Sequence, residues 1–280
     1  LMPQTNSLPT GDQIALFQKD GAICLRGVFK PLEVSALQEA VDVAIRNPGP
    51  YALNFSSNDG AGFFGDVFVW TRNPVFRNIV VLSHLGEIAG RLLGSQKTRF
   101  IFDHLLVKEP GASEVIPWHQ DAAYFPIEGE DCCSIWIALD HVSSENGAVE
   151  YLRRSHTTGK VYAPKSFHGD NRLSNEMLEE VPDVEAHRVD YDIATWELFP
   201  GDCVAHHVRT LHGAPGNSSP SIRRRGLSTR WIGDDIVYGT RLGIPEPMTK
   251  SLEDLAPELE LGKPFDHSMF PLVWQSETAQ

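Results

Sequence analysis

The sequence predicts an α+β fold, mainly β, built around a β-sandwich or a jelly roll. Helical periodicity dominates residues 1–97, and short β-rich runs separated by turn residues fill residues 98–235. A run of helices followed by a run of strands is typical of α+β domains. The 280 residues contain no internal repeat and no low-complexity linker. We therefore expect a single domain over residues 1–280, with residues 236–280 as a C-terminal segment.

The N-terminal part carries the helical signals. Its predicted elements are helices over residues 12–20, 32–46 and 75–93 and a strand over residues 22–29. The second helix has the clearest pattern, because its apolar residues recur at the spacing of one helical face. These residues are Val34, Leu37, Val41 and Ile45. We expect the helices to pack on one sheet of the β core.

The following part carries the strand signals. The predicted strands cover residues 98–107, 133–139, 203–208 and 226–232. Pro110-Gly111 and Asn146-Gly147 are turn-forming pairs that separate such runs. Residues 162–197 are polar and rich in charge, which predicts an insertion between strands.

The segment 54–65 is a candidate cover for a pocket. Its glycines supply backbone freedom, and Phe63 and Phe64 supply apolar surface that excludes water. We expect a mobile loop over the substrate side of a site. The alternatives are an ordinary surface loop and a cover formed by residues 162–197.

Charge and cysteine content exclude some classes of partner. Asp and Glu outnumber Lys and Arg by 37 to 24, and the net charge of −13 would repel nucleic-acid phosphates and anionic membrane surfaces. No apolar stretch reaches the roughly 20 residues of a membrane span, and no signal peptide is recognised. The four cysteines form no C-x-x-C pair, so free thiols and a cytoplasmic location are expected.

Two windows carry residues with metal-binding chemistry. In the first, His119 and Asp121 are two residues apart, so an extended chain would direct both side chains to one face. The second window, residues 201–225, contains His206, His207 and His212 and ends in three arginines. Two histidines and one carboxylate form a typical iron(II) site with open positions, enough for a 2-oxo acid and dioxygen. An arginine fork would then match the distal carboxylate of 2-oxoglutarate.

In these windows the sequence resembles the phytanoyl-CoA dioxygenase family. The matching segments are His119-Gln120-Asp121, Trp136-Ile137-Ala138-Leu139-Asp140, Asn146-Gly147, Ser155-His156, Gly201-Asp202, His212-Gly213 with Asn217, and Arg224-Arg225-Gly226-Leu227-Ser228. The resemblance covers about residues 98–235. It implies a double-stranded β-helix (jelly-roll) core and a dioxygenase that uses iron(II), 2-oxoglutarate as co-substrate and O2.

The resemblance also implies roles for individual residues. His119, Asp121 and His212 correspond to the metal ligands and thus to the catalytic centre. His212 is preferred over His206 and His207 because it begins the H-G pair that is followed by an asparagine five residues on. His207 is expected to pack in the core or to support a ligand.

The arginine that anchors 2-oxoglutarate is left open between two residues. Arg224 fits the family's strand pattern, whereas counting from Asn217 favours Arg223. Alternation along a strand turns at least one of the three consecutive arginines inward. Trp136 is a further candidate for the co-substrate site, and its alternative role is that of a core aromatic residue.

The resulting hypothesis is a dioxygenase that hydroxylates, or otherwise oxidises, an aliphatic C–H bond in a small molecule and releases succinate and CO2. Because Asp121 supplies a carboxylate where a halogenase of this superfamily has a small residue, hydroxylation is expected and halogenation is not. The alternatives are a cupin-like metal enzyme without 2-oxoglutarate and a non-catalytic binding protein on the same fold. No motif identifies the substrate.

Overall fold

The computed structural model describes residues 8–54, 62–165, 178–239, 252 and 254–277. The helices of the N-terminal part are α1 (Gly11–Asp20), α2 (Pro31–Arg46), α3 (Pro74–Leu82) and α4 (Leu85–Leu93). Thr10 and Gln13 form a capping box at the start of α1. Gly21, in the left-handed region, ends it.

The strands of the described residues are β1 (Ala22–Leu25), β2 (Leu53–Asn54), β3 (Phe63–Val67), β4 (Lys97–Lys108), β5 (Ile116–His119), β6 (Ile127–Glu128), β7 (Cys132–Ala138), β8 (Glu150–Leu152), β9 (Ile193–Thr195), β10 (Cys203–His207), β11 (His212–Ala214), β12 (Arg224–Ile232), β13 (Val237–Tyr238) and β14 (Leu272–Gln275). The predicted mixed fold, with sheets predominating, is confirmed.

Antiparallel pairing joins these strands into a large and a small sheet and one short ribbon. The large sheet has eight strands in the order β1-β10-β7-β12-β4-β3-β2, with β14 paired to β4. The small sheet has four strands in the order β5-β11-β8-β9, and β13 pairs with β6. Contacts between side chains of the two main sheets, described below, form the candidate site.

The two faces of the large sheet differ in chemistry. One face joins the helices in the largest hydrophobic cluster, through residues such as Leu105, Ile135 and Leu227. Alternate positions on the same strands, among them Ser134 and Arg224, are polar and point to the opposite face. The helices therefore stabilise the sheet from outside, and the other face is left for chemistry.

Two predicted elements of the N-terminal part have other boundaries. The strand predicted over residues 22–29 ends at Leu25, because the Asp202 carboxylate accepts bonds from the Arg26 guanidinium and from the N–H of Gly27 and holds a turn. The single helix predicted over residues 75–93 is two helices, α3 and α4. Ser83 is extended and its hydroxyl donates to the Ile79 carbonyl, which ends α3.

The predictions for two loops are partly wrong. Residues 55–61 and 166–177 lie outside the described residues. Phe63 and Phe64, expected in a mobile cover, belong to β3 and pair with β4, and Phe63 is buried. The insertion predicted over residues 162–197 contains β9, which is an edge strand of the small sheet. Within the described residues, no helix has the length and apolar character that a membrane crossing requires.

Candidate metal centre

Three side chains with metal-ligating atoms meet between the two sheets. His119 ends β5 and His212 begins β11, and the two are direct partners in the strand register. Asp121 follows in a short 3-10 turn, so the extended conformation considered for the stretch from His119 to Asp121 ends at His119. Its Oδ1 lies 3.9 Å from His119 Nε2 and 3.8 Å from His212 Nε2. One ligand atom from each residue lies within 4.8 Å of the other two, and all three residues are buried.

Backbone carbonyls orient both imidazoles. His119 Nδ1 lies 2.8 Å from the carbonyl of Pro117, and His212 Nδ1 lies 2.9 Å from that of Thr210. A carbonyl only accepts, so Nδ1 carries the proton and the lone pair is on Nε2, the nitrogen that faces Asp121. Burial lowers the pKa of both histidines, which keeps them neutral. Neutral imidazoles oriented in this way are typical metal ligands.

The other oxygen of Asp121 is held by the large sheet. Ser134 Oγ on β7 donates to Oδ2 at 2.5 Å, and His206 Nε2 on β10 lies 3.1 Å from the same oxygen. Burial alone would raise the pKa of Asp121, but Arg230 and the surrounding histidines hold it well below its usual range. Asp121 is thus an oriented, charged carboxylate whose Oδ1 faces the two histidines.

His206 and His207 differ in their surroundings. His206 contacts Asp121, and its ring lies 4.3 Å, centroid to centroid, from that of His212. His207 points away, packs against His156, and accepts the N–H of Arg209 on Nδ1. The contact with Asp121 that was considered for His207 is therefore made by His206, and His207 has the packing role.

The three consecutive arginines have different environments. Arg223 is half exposed and paired with Asp42 and Glu109, and Arg225 is paired with Asp140. Arg224 is only 1% exposed. Its Nη1 donates to the Gly147 carbonyl at 2.8 Å, whereas its Nε and Nη2 are buried without a partner among the described residues.

Arg224 combines a buried charge with an unpaired edge. Burial lowers its pKa to about 10, so the guanidinium stays charged at neutral pH. Its Cζ lies 5.6 Å from the ring centroid of Trp136, and a Cβ on Gly226 would lie 2.0 Å from that ring. Glycine at position 226 therefore makes room for the indole against which the guanidinium is positioned. Nε and Nη2 form one edge of the guanidinium, which matches a carboxylate bidentately.

Four inward polar residues escaped the sequence analysis: His104, Lys108, Ser134 and Arg230. Lys108 lies opposite Arg224 in the register and donates to the carbonyls of Glu114 and Pro215. Burial, with a smaller effect of Arg224, lowers its pKa to about 6. The signal that could have found these residues is a polar side chain at alternate positions of an otherwise apolar strand.

His104 leads to a prediction on acid stability. Burial, then Arg230, lowers its pKa from 6.5 to about 3. The unfolded chain therefore binds a proton below pH 6.5 that the folded chain does not, and stability falls as the pH falls. From this residue we expect a loss of about 2 kcal/mol in the free energy of unfolding of the metal-free protein between neutral pH and about pH 5.

Urea unfolding at both pH values measures this contribution. His104→Asn should reduce the difference between the two unfolding free energies by about 2 kcal/mol relative to the unsubstituted protein. An equal pH dependence in both proteins would contradict the prediction.

Comparison with known proteins agrees with this geometry. A model of the family described as phytanoyl-CoA dioxygenase (PhyH) matches residues 17–225. The multifunctional dioxygenase prhA of Penicillium brasilianum is 24% identical over 264 residues, which is 88% of this chain and 80% of that protein. The ectoine dioxygenase of Sphingopyxis alaskensis is 26% identical over 234 residues, 77% and 74% of the two chains.

A solved structure has a similar fold over nearly the whole length. The non-heme alpha-ketoglutarate-dependent carbocyclase SnoK from nogalamycin biosynthesis superposes with a TM-score of 0.76 at 23% identity, and the match covers 97% of this chain and 99% of that one. At this identity the likeness concerns the fold.

Proposed function

The chain belongs to the phytanoyl-CoA dioxygenase family and is an iron- and 2-oxoglutarate-dependent dioxygenase, and from that premise we propose that it oxidises an aliphatic C–H bond of a small molecule. The products from the co-substrate are succinate and CO2. The observation that carries the proposal is the combination of a His-Asp-His cluster with a buried arginine whose Nε and Nη2 have no described partner.

We assign iron(II) to His119, Asp121 and His212. Two neutral imidazoles and one carboxylate fit the donor set that iron(II) takes in oxygenases, with positions left for other ligands. When bound, iron supplies the activation of O2 and the oxidising power for the C–H bond. Ser134 and His206 keep the Asp121 carboxylate oriented, and the Pro117 and Thr210 carbonyls keep both imidazoles in the metal-binding tautomer.

We assign the distal carboxylate of 2-oxoglutarate to Arg224, with Trp136 beside it. The two unused donors would satisfy that carboxylate, and the anion would compensate a buried positive charge. Arg223 is excluded because its guanidinium is already paired at the surface. A cupin-like enzyme without 2-oxoglutarate would have no use for the free edge of Arg224.

The fold supports this assignment. We propose that the two main sheets form a double-stranded β-helix and that residues 1–280 act as one oxygenase domain. In support, β1 and β3 from the N-terminal part pair with β10 and β4 of the large sheet, so the two parts share one sheet. Tyr124, whose hydroxyl is bonded to the backbone of Lys165, packs edge-on against His119.

Hydroxylation is the reaction that we propose. A halogenase of this superfamily has a small residue in place of the carboxylate ligand, whereas this chain has Asp121. The names of two similar proteins refer to different small molecules, ectoine in one case and nogalamycin biosynthesis in the other, so they do not single out one substrate for this chain. A small-molecule substrate is proposed for this chain.

Succinate formation tests the function. Purified protein given iron(II), 2-oxoglutarate and O2 should release succinate even without an added substrate. The same reaction with zinc(II) in place of iron(II) should release none, because zinc is not redox-active. Equal succinate in both reactions, or none in either, would refute a 2-oxoglutarate-dependent oxygenase.

A further inference from the structure

Arg230 is a second buried guanidinium on the inner face of the large sheet. It lies six positions after Arg224 on β12, so both side chains leave the same face of the strand. In the register with β7 it lies opposite Ser134, the residue that donates to Asp121. Arg230 therefore lies at the level of the proposed metal ligands, whereas the Cα atom of Arg224 lies roughly 20 Å away, at the start of the strand.

The donors of Arg230 are mostly unused. It is 7% exposed, and within the described part of the chain its one hydrogen bond runs from Nη1 to the Ser228 carbonyl on its own strand, at 3.0 Å. Nε is buried without a partner, and no carboxylate of the described residues lies within ion-pair distance. Nη2 also makes no hydrogen bond among the described residues, so the edge formed by Nε and Nη2 is unpaired, and this is the edge that binds a carboxylate bidentately.

Two aromatic rings fix the position of this guanidinium. Its Cζ lies 5.0 Å from the ring centroid of Phe102 and 5.7 Å from that of Phe125, and the two rings pack edge to face. A guanidinium placed in this way has lost its water and most of its rotational freedom before any ligand arrives. Binding of an anion would therefore cost little further ordering.

Arg230 forms no ion pair among the described residues, although Asp121 acts on it electrostatically. Asp121 is the carboxylate that acts most strongly on Arg230, and in the proposed enzyme that carboxylate neutralises part of the charge of iron(II). Asp103 also acts on Arg230 electrostatically, but it leaves the other face of β4 and accepts the N–H of Trp70. The metal and two arginines outweigh Asp121 and a 2-oxoglutarate dianion by one positive charge.

A further polar group faces the same space. His104 on β4 lies opposite Ser228, two positions from the partner of Arg230, and its Nε2 is buried without a partner among the described residues. A neutral imidazole beside a guanidinium offers a hydrogen bond to the same ligand or to its neighbouring group.

We infer that Arg230 binds the carboxylate of the primary substrate, so that the substrate is a small carboxylic acid held by Arg230 on one side of the metal while Arg224 holds 2-oxoglutarate on the other. The inference rests on the proposed function, which makes 2-oxoglutarate the anion at Arg224 and the primary substrate the anion at Arg230. The group that Arg230 binds is a planar monoanion, because Arg230 offers one bidentate edge and the centre has one uncompensated positive charge.

Calorimetric titration tests the inference without turnover. The protein is loaded with zinc(II) and saturated with 2-oxoglutarate, and the probes are short aliphatic and α-amino monocarboxylates, each matched with its primary amide. We expect at least one acid to bind about tenfold or more tightly than its amide, because the amide loses the charge-assisted bidentate pair. If no acid in the panel is preferred over its amide, the inference is overturned without recourse to any variant.

Variants identify the residue. Arg230→Gln, and Arg230→Met as a second neutral replacement, should abolish the preference for the acid while zinc still binds. Arg99→Gln, on the same sheet but paired with Asp266, should leave the preference unchanged. A preference that survives both neutral replacements would overturn the inference.

The outcome is separable from that of the proposed function. Succinate formation by the iron-loaded protein without any preference for acids would leave the dioxygenase standing and refute the role of Arg230. If the protein prefers acids through Arg230 but forms no succinate, the role of Arg230 is supported and the proposed dioxygenase function is refuted.

Discussion

Replacing His212 with alanine should abolish 2-oxoglutarate-dependent succinate formation and weaken metal binding by on the order of a hundredfold or more, since one of the three proposed protein ligands is lost. The imidazole cannot be replaced by a neighbour, because its Nε2 and that of His119 face Asp121 from paired positions on β11 and β5. Metal content after dialysis and calorimetric titration with iron(II) under anaerobic conditions measure the loss.

The neighbouring histidines provide graded controls. His206→Ala removes a contact to Asp121 Oδ2 but no ligand, so we expect roughly 10- to 100-fold weaker metal binding with succinate formation reduced and still measurable. His207→Ala should leave metal binding unchanged, because that ring packs against His156. Loss of metal in His207→Ala with retention in His212→Ala would reverse the assignment.

Replacing Arg224 with glutamine should raise the concentration of 2-oxoglutarate needed for half-maximal succinate formation by about 30- to 5,000-fold, the equivalent of about 2–5 kcal/mol for losing one partner of a buried bidentate pair. Iron(II) binding should stay nearly intact, because Arg224 makes no contact with the three ligands and bonds instead to the Gly147 carbonyl. The kinetic measurement is paired with calorimetry of 2-oxoglutarate binding to the zinc-loaded protein.

Arg223→Gln is the matched control for this prediction. Arg223 precedes Arg224 in the chain, but its guanidinium donates to the carboxylates of Asp42 and Glu109 at the surface. The 2-oxoglutarate requirement should therefore change by less than about twofold, as is usual for exposed ion pairs. If Arg223→Gln raises the requirement steeply and Arg224→Gln does not, the anchor has been assigned to the wrong residue.

The N-terminal helices show which element boundaries local sequence patterns can predict and which they cannot. Apolar residues at helical spacing predicted α2 almost to its ends, since a helix satisfies its own backbone and its face can be read from the chain. The break between α3 and α4 was missed, because Ser83 ends α3 through its own hydroxyl and carries no Gly or Pro signal. Phe63 and Phe64 were assigned to a loop, because the strand they form exists only through its pairing with β4.

What the sequence by itself determined is the chemistry of the centre: which residue types it holds and in which order along the chain. His119, Asp121, His212 and the arginine run are recognisable there, because ligand type and spacing are local properties and because the resemblance to a family rests on them.

Only the tertiary structure decided which of several equivalent side chains face the centre. The pairing of β12 with β4 and β7 turns Arg224 and Arg230 inward and leaves Arg223 at the surface. The pairing of β10 with β7 brings His206, and not His207, beside Ser134 and Asp121. A shift of one residue in either register would exchange the two faces, and register is set by strands that are distant in the sequence.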